Sequence, residues 1–230
     1  MKFIRRTLKL LLWVVILFLG TSIGAVVLYK YVSVPLSPLM VIRLAQQFRA
    51  GEPLKLAHRW VPIDSISPAL PQAVWASEDQ NFFSHHGFDF NAIEKALQER
   101  ETRGRLRGAS TISQQTAKNV FLWPQQSWLR KGLEAYFTVL IETLWSKHRI
   151  MEVYLNTIEM GRGVYGAEAV ALEHFGCHAL DLNRNQCALI AASLPNPQKM
   201  DSSRPSAYMY KRQSAILKQM RNVGPFPDKP

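Results

Sequence analysis

The hydropathy pattern begins with an uncharged, mostly apolar run from Leu10 to Tyr29. As a helix this run of 20 residues would extend about 30 Å, which matches the hydrocarbon core of a bilayer. A basic cluster precedes the run and consists of Lys2, Arg5, Arg6 and Lys9. The pattern therefore predicts a cytoplasmic basic tail over 1–9, a transmembrane helix over 10–29 and the rest of the chain on the far side of the membrane.

A cleaved signal peptide is the alternative, because Ser22-Ile23-Gly24 offers a small-x-small cleavage site. The apolar run is longer than the roughly 7–15 apolar residues of a signal peptide, which favours a retained anchor. Both interpretations export the domain, and both argue against a DNA-binding protein.

Residues 30–70 have the composition of a membrane-proximal connector. Prolines at positions 35, 38, 53, 62 and 68 interrupt this stretch, so no long helix is expected to cross it intact. Within it, the apolar and basic residues of Leu39–Phe48 suit either a segment lying on the membrane surface or a short helix packed against the domain.

The remainder, over 71–225, is predicted to be one globular domain of mainly α class. Helical periodicity predicts helices over Ala73–Asp79, Asn91–Arg100, Ser113–Val120, Trp128–Ser146, Lys147–Thr157, Gly166–His174, Arg184–Leu194 and Ser206–Met220. Convincing alternating strands are not found. The short basic segment from Gly104 to Gly108 is predicted to be a mobile loop, which either is solvated or grips a diphosphate.

Charge and cysteine content narrow the function classes. The chain has 28 Lys and Arg against 17 Asp and Glu, a net charge of +11, which points to an anionic partner such as a membrane surface or a phosphorylated substrate. The two cysteines, Cys177 and Cys187, exclude a disulfide-dense scaffold and a four-cysteine zinc site. They form either a single bridge or two buried thiols.

The first candidate site is the acidic pair Glu78-Asp79, which follows an apolar stretch and precedes three phenylalanines and two histidines. A carboxyl group desolvated by aromatic neighbours has a raised pKa and suits a general base. The alternative is that the two acids cap or salt-bridge the next element. A zinc site is not expected, because the spacing does not copy the His-Glu-x-x-His motif.

Two further segments could hold an anionic ligand. Gly108 to Gln115 supplies three hydroxyls and two amides, which suit sugar hydroxyls and phosphate oxygens, although Ser110 or Thr111 could simply cap a helix. Arg130 and Glu134 are i,i+4 neighbours, so they form either a surface ion pair or part of a cationic site.

Together these motifs resemble the monofunctional peptidoglycan glycosyltransferases. The family pattern Glu-Asp-x-x-Phe-x-x-His-x-Gly corresponds to residues 78–87, and Gly-x-Ser-Thr-Ile-[Thr/Ser]-Gln-Gln corresponds to residues 108–115. Arg-Lys-x-x-Glu corresponds to residues 130–134, and Lys-x-x-Ile-x-Glu-x-Tyr-Leu-Asn corresponds to residues 147–156. The resemblance covers roughly residues 70–220 in the family's order and spacing.

The resemblance implies a lysozyme-like helical glycosyltransferase domain with a smaller membrane-facing lobe. It implies an inverting enzyme that polymerises lipid II into β-1,4 glycan strands and releases undecaprenyl diphosphate. Its expected place is the bacterial inner membrane, with the catalytic domain in the periplasm. Expected partners are lipid II, the growing strand, inner-membrane lipids and other cell-wall synthesis proteins, but no nucleic acid. Transpeptidase activity is not expected.

Site residues carry over by position. Glu78 is expected to be the general base and Glu134 the second catalytic carboxylate, which either binds a divalent cation such as Mg or Mn or hydrogen-bonds to Lys or Arg. The expected substrate-binding residues are Asp79, Phe82, His85, Gly108, Ser110, Thr111, Gln114, Gln115, Lys118, Asn119, Arg130 and Lys131.

Two departures and two other functions remain open. Gln126 stands where many members carry Arg, which leaves one diphosphate contact open, and His86 stands where Pro is common. A lytic glycan-cleaving enzyme could use the same carboxylates with water as acceptor. A catalytically silent scaffold would bind the lipid-linked precursor without turnover.

Overall fold

The computed structural model describes residues 2–103, 108, 110–125 and 127–227. Most of the loop predicted between Gly104 and Gly108 lies outside these residues, and so does Gln126.

The described part of the chain is mainly helical, which confirms the predicted fold class. Its α-helices are α1 (Lys2–Tyr31), α2 (Pro38–Arg49), α3 (Ala69–Glu78), α4 (Phe90–Arg103), α5 (Ile112–Phe121), α6 (Trp128–Leu144), α7 (Lys147–Thr157), α8 (Ala167–Val170), α9 (Arg184–Ser193) and α10 (Ala207–Val223). A π-helical turn over Ala171–Phe175 continues α8, and 3₁₀ turns cover Ile63–Ser65 and Ala179–Asp181.

A small sheet corrects the expectation that strands are absent. Its strands are β1 (Ala57–His58), β2 (Glu159–Gly161) and β3 (Val164–Tyr165), in the order β1-β3-β2. β1 runs parallel to β3, and β2 runs antiparallel to it. Strands of two or three residues are too short for an alternating pattern to appear in the sequence.

Polar residues fix where the helices begin. Thr111 caps the start of α5 through a capping box. Its hydroxyl accepts from the backbone N–H of Gln114, and the side-chain oxygen of Gln114 accepts from the backbone N–H of Thr111. Ser127 and Ser146 cap α6 and α7 in the same manner, each accepting a backbone N–H of the first turn. Such caps satisfy amides that would otherwise lack partners, so they set the helix boundaries.

The core forms where α5 packs against α6 and α7, and where α3 packs against α9 and α10. Its largest fully buried side chains include Phe82, Ile112, Met151, Tyr154 and Leu155. α3 and α5 carry the two candidate polar segments, which meet where the Ile112 amide at the start of α5 donates to the Asp79 carboxylate at the end of α3.

The C-terminal third of α1 is packed onto the domain along α6. The hydroxyls of Ser22 and Tyr136 lie 2.7 Å apart, and the Trp145 indole donates to the Val26 carbonyl at 2.8 Å. The Arg149 guanidinium donates to the carbonyls at the end of α1, including that of Tyr29 at 2.8 Å. These contacts attach the C-terminal part of the apolar helix to the domain. The segment Phe3–Tyr31 is long and apolar enough to cross a membrane.

The predicted connector packs against the same body. Val34, Ile63 and Ile66 are buried in the core, and α2 buries Leu39 and Met40 against Tyr165. The stretch 39–48 therefore forms a short helix against the domain, the second of the two interpretations given above. Cys177 is half-buried, Cys187 is buried, and both are free thiols.

Candidate active site

The acidic pair lies at the C-terminal end of α3, where Glu78 is the last helical residue and Asp79 is the C-cap. Asp79 is 7% exposed, and its carboxylate accepts from His85 Nε2 at 2.9 Å and from the Ile112 amide at 3.0 Å. His85 Nδ1 in turn accepts from the Gly87 amide at 3.1 Å. Asp79 therefore joins the end of α3, the following loop and the start of α5.

Two further contacts hold that loop in place. Phe82 is completely buried, and the Lys147 ammonium lies 4.6 Å from the centre of its ring. Lys147 also donates to the His85 carbonyl at 2.8 Å. Asp79, Phe82 and His85, three of the predicted substrate contacts, thus form the support behind the site.

The Thr111 and Gln114 side chains are used mainly for capping. The Thr111 hydroxyl donates to the Gly87 carbonyl at 2.7 Å, in addition to its part in the capping box. Gly108 and Ser110 are exposed just before the helix. Capping therefore explains the first of the two consecutive glutamines and leaves Gln115 to be explained.

Gln115 reaches the candidate base. Its amide nitrogen donates to Glu78 Oε2 at 3.1 Å, and its carbonyl oxygen accepts from the Tyr154 hydroxyl at 3.2 Å. Burial raises the pKa of Glu78, while the Gln115 hydrogen bond and the charges of Arg212 and Lys118 act in the opposite direction. A carboxylate with a raised pKa that still carries a hydrogen-bond donor suits a general base.

A cationic cluster lies next to this carboxylate. Arg130 Nη1 donates to Glu134 Oε2 at 2.8 Å, and the Lys131 ammonium pairs with the other oxygen. Burial lowers the pKa of Lys118, and the positive charges of Arg130 and Lys131 lower it further. Three cations therefore share a single carboxylate, which leaves a surplus of positive charge for an anionic ligand.

Two polar cavities meet at this position. One of about 190 Å³ is lined by Ser110, Gln114, Gln115, Lys118, Pro124, Arg130, Lys131 and Glu134. The other, of about 290 Å³, has Glu78, Asp79, Lys95 and Ser110 among its lining residues. Ser110 belongs to both linings, so the cationic cavity adjoins the cavity that contains the candidate base. Asn119 lines a third cavity of about 250 Å³, which shares Gln115 and Lys118 with the first.

The donor set around Glu134 does not fit a divalent cation. Both of its oxygens are bonded to Arg130 and Lys131, and these cations repel a metal ion. Among the described residues no group of three His, Cys, Asp or Glu could hold a metal. Direct hydrogen bonding to Arg and Lys, the second role expected for Glu134, is what the structure contains.

Two residues near the base are absent from the predicted site. Tyr154 lies within the fourth motif, but the spacing of that motif does not show that the Tyr154 hydroxyl bonds to Gln115, which lies 39 positions earlier. Arg212 lies on α10, and its Nε is buried without a hydrogen-bond partner among the described residues. No local pattern links Arg212 to residue 78.

Comparison with known proteins identifies close relatives. The family model described as Transglycosylase matches residues 46–221. The biosynthetic peptidoglycan transglycosylase of Bacteroides thetaiotaomicron is 57% identical over 224 residues, which cover 97% of this chain and 90% of that protein. The protein of the same name from Caulobacter vibrioides is 52% identical over 218 residues, 94% of this chain and 93% of that protein.

The ion pairs of Glu134 generate a test of stability. In Glu134→Gln the buried Arg130 loses its carboxylate partner and three cations repel one another, so the free energy of unfolding should fall by about 3 kcal/mol. Glu173→Gln is the matched control, because Glu173 pairs with Lys55 at 2.8 Å on the surface and its loss should cost less than about 1 kcal/mol. Denaturant melts of both variants measure the difference. Equal losses would show that Glu134 forms an ordinary surface pair.

Proposed function

The chain belongs to the transglycosylase family, and from this membership we propose that it polymerises lipid II into the glycan strands of the bacterial cell wall. It is a glycosyltransferase of peptidoglycan synthesis with the mainly helical domain of that family. The observation that carries the proposal is the position of Glu78, a carboxylate with a raised pKa, in a polar cavity that adjoins a cavity rich in cations.

The arrangement suits attack by a sugar hydroxyl. With the acceptor in the Glu78 cavity, its hydroxyl oxygen bonds to the anomeric carbon of the donor while the bond from that carbon to the diphosphate oxygen breaks. The hydroxyl proton passes to the Glu78 carboxylate, and undecaprenyl diphosphate leaves. Attack opposite the leaving group inverts the anomeric centre and gives a β-1,4 linkage.

The cationic cavity suits the leaving group. A diphosphate leaves as a stable anion, so it needs charge stabilisation more than it needs a general acid. Lys118, Arg130 and Lys131 supply positive charge at that position, and Glu134 holds the last two in place.

The contacts of two nearby acids bear on whether the site transfers a sugar or hydrolyses a glycan. A glycan hydrolase of the usual type needs a second carboxyl group that faces the first across the scissile bond. Asp79 is fully engaged by His85 and the Ile112 amide, and Glu134 is engaged by Arg130 and Lys131. These two acids are therefore engaged elsewhere, whereas Asp89 and Glu99 also line the Glu78 cavity, so the assay described below decides between transfer and hydrolysis.

We also propose that α1 is a retained single-pass anchor in the inner membrane, with the N-terminus in the cytoplasm and the catalytic domain in the periplasm. The charge pattern supports this orientation. The packing of Ser22 and Val26 onto α6 supports retention, because cleavage at Gly24 would split this interface.

The start of α6 extends this membrane contact. Ser22 meets Tyr136 and Val26 meets Trp145, so α6 and α1 run in the same general direction. Trp128 lies eight residues, about 12 Å along the helix, before Tyr136, at the end of α6 that is nearer the N-terminal half of α1. Trp128 is 94% exposed and Leu129 69% exposed, which suits contact with lipid.

The base assignment predicts a clear outcome for Glu78→Gln. Polymerisation of labelled lipid II in detergent should fall at least about 100-fold, because the acceptor proton has lost its carrier. The fold should persist with an equal or higher melting temperature, since a raised folded-state pKa means that the charged Glu78 lowers stability at neutral pH. Glu94→Gln, on the exposed face of α4, is the control and should polymerise normally.

Other outcomes of that assay would contradict the proposal. Full activity of Glu78→Gln would remove Glu78 from the base role. Short sugar fragments released from finished cell wall by the unmodified protein would indicate a hydrolase. Binding of lipid II by the unmodified protein without polymer would indicate a scaffold.

The proposed orientation predicts the outcome of cysteine labelling. In a background with Cys177→Ser, an impermeant maleimide should label Lys211→Cys in intact bacterial spheroplasts, because Lys211 is exposed on the domain. It should label Thr7→Cys, in the basic tail, only after permeabilisation. The reverse pattern would contradict a periplasmic catalytic domain.

A further inference from the structure

Gln115 connects two side chains that lie far apart in the sequence. It is partly buried in the first turns of α5, its amide nitrogen is 3.1 Å from Glu78 Oε2, and its carbonyl oxygen is 3.2 Å from the Tyr154 hydroxyl. An amide can present either its oxygen or its NH2 group to a neighbour. If the amide oxygen of Gln115 faces Tyr154, its NH2 group faces Glu78, and the reverse holds when the amide is turned over.

Tyr154 is paired with the carbonyl oxygen of the Gln115 amide. A neutral phenol can donate or accept, and here it donates, which favours one of the two amide orientations. Tyr154 is completely buried in the middle of α7, and burial together with the charges of Glu78 and Asp79 raises the pKa of its phenol. The hydroxyl thus keeps its proton over the working pH range and donates it to the carbonyl oxygen of Gln115. The NH2 group of Gln115 then points at Glu78.

We propose that Tyr154 is a positioning residue for the reaction, which fixes the Gln115 amide so that its NH2 group holds the Glu78 carboxylate in place and ready to accept a proton. The proposal rests on the base role of Glu78 in the proposed function. It gives Gln115 a role toward the base, where the sequence indicated only substrate binding.

Among the described side chains, Gln115 is the one that donates a hydrogen bond to the Glu78 carboxylate. The charged groups nearest to it are Asp79 at the end of α3, Lys118 on α5 and Arg212 on α10. They act through their charge, and Asp79 is already bonded to His85 and Ile112. Loss of the Gln115 contact would therefore leave the carboxylate without a donor among these groups.

The first test is Tyr154→Phe, which removes one oxygen and keeps the ring. Without its partner the Gln115 amide can rotate and present its oxygen to Glu78, which favours the protonated acid. The kcat for lipid II polymerisation should fall roughly 10-fold with little change in KM, because Tyr154 does not line the described cavities. The acidic limb of the pH profile should move to higher pH than in the unmodified protein.

Tyr165→Phe is the matched control. Tyr165 is also completely buried, and its hydroxyl lies 3.4 Å from a carboxylate oxygen of Glu159, but it has no contact with Gln115 or Glu78. The control should lose a similar amount of stability and keep both kcat and the acidic limb. Equal behaviour of the two variants would overturn the proposal, because loss of core stability would then explain Tyr154→Phe.

A double-mutant cycle separates the indirect role from a direct one. Gln115→Ala should impair turnover by itself, and Tyr154→Phe should add almost nothing in that background, because its effect passes through the amide. A full additional loss in the double variant would overturn the proposal. The cycle also remains informative if Tyr154→Phe alone is poorly folded.

A titration without turnover separates this proposal from the proposed function. With 13C-labelled glutamate, the Glu78 carboxyl signal, assigned by its absence in Glu78→Gln, should titrate at higher pH in Tyr154→Phe than in Tyr165→Phe. An unchanged titration would overturn the positioning role. Failure of the unmodified protein to polymerise lipid II would contradict the proposed function and leave this titration result valid.

Discussion

The site depends on the hydrogen bonds that the buried carboxylate of Asp79 accepts. This carboxylate binds the imidazole of His85 and the backbone amide of Ile112, and thereby joins the helix that ends in Glu78 to the helix that carries Gln115 and Lys118. A buried carboxylate is tolerated only when its oxygens have such partners. The distance between the base and the cations is set by this connection.

Around that connection the chain separates two electrostatic environments. Glu78 sits where burial opposes its charge, whereas the neighbouring cavity holds more cations than its one carboxylate can balance. A group that must take up a proton and a group that must stabilise a departing anion need opposite surroundings. With α1 as the proposed anchor, its docking along α6 would hold both near the membrane surface, where a lipid-linked substrate is found.

Local sequence signals predicted most of the helices and singled out Glu78 as the candidate base. The capping residues Thr111 and Ser127 and the apolar periodicity are short-range features, so they are visible in one segment. The supporting roles of Asp79 and Phe82 are harder to predict, because only the fold shows that these side chains lie behind the site. Tyr154 and Arg212 reach the base from other helices, and spacing within a motif gives no information on such contacts.

The pH dependence of kcat/KM for lipid II polymerisation by the unmodified protein tests the central claim most directly. A base must be ionised, so the rate should fall as the pH drops through the pKa of Glu78, above the value of about 4.3 for an ordinary glutamate. It should also fall on the alkaline side below the value of about 10.4 for an ordinary lysine, as Lys118 loses its charge. A rate that stays constant to below about pH 4 while the protein remains folded would contradict the account.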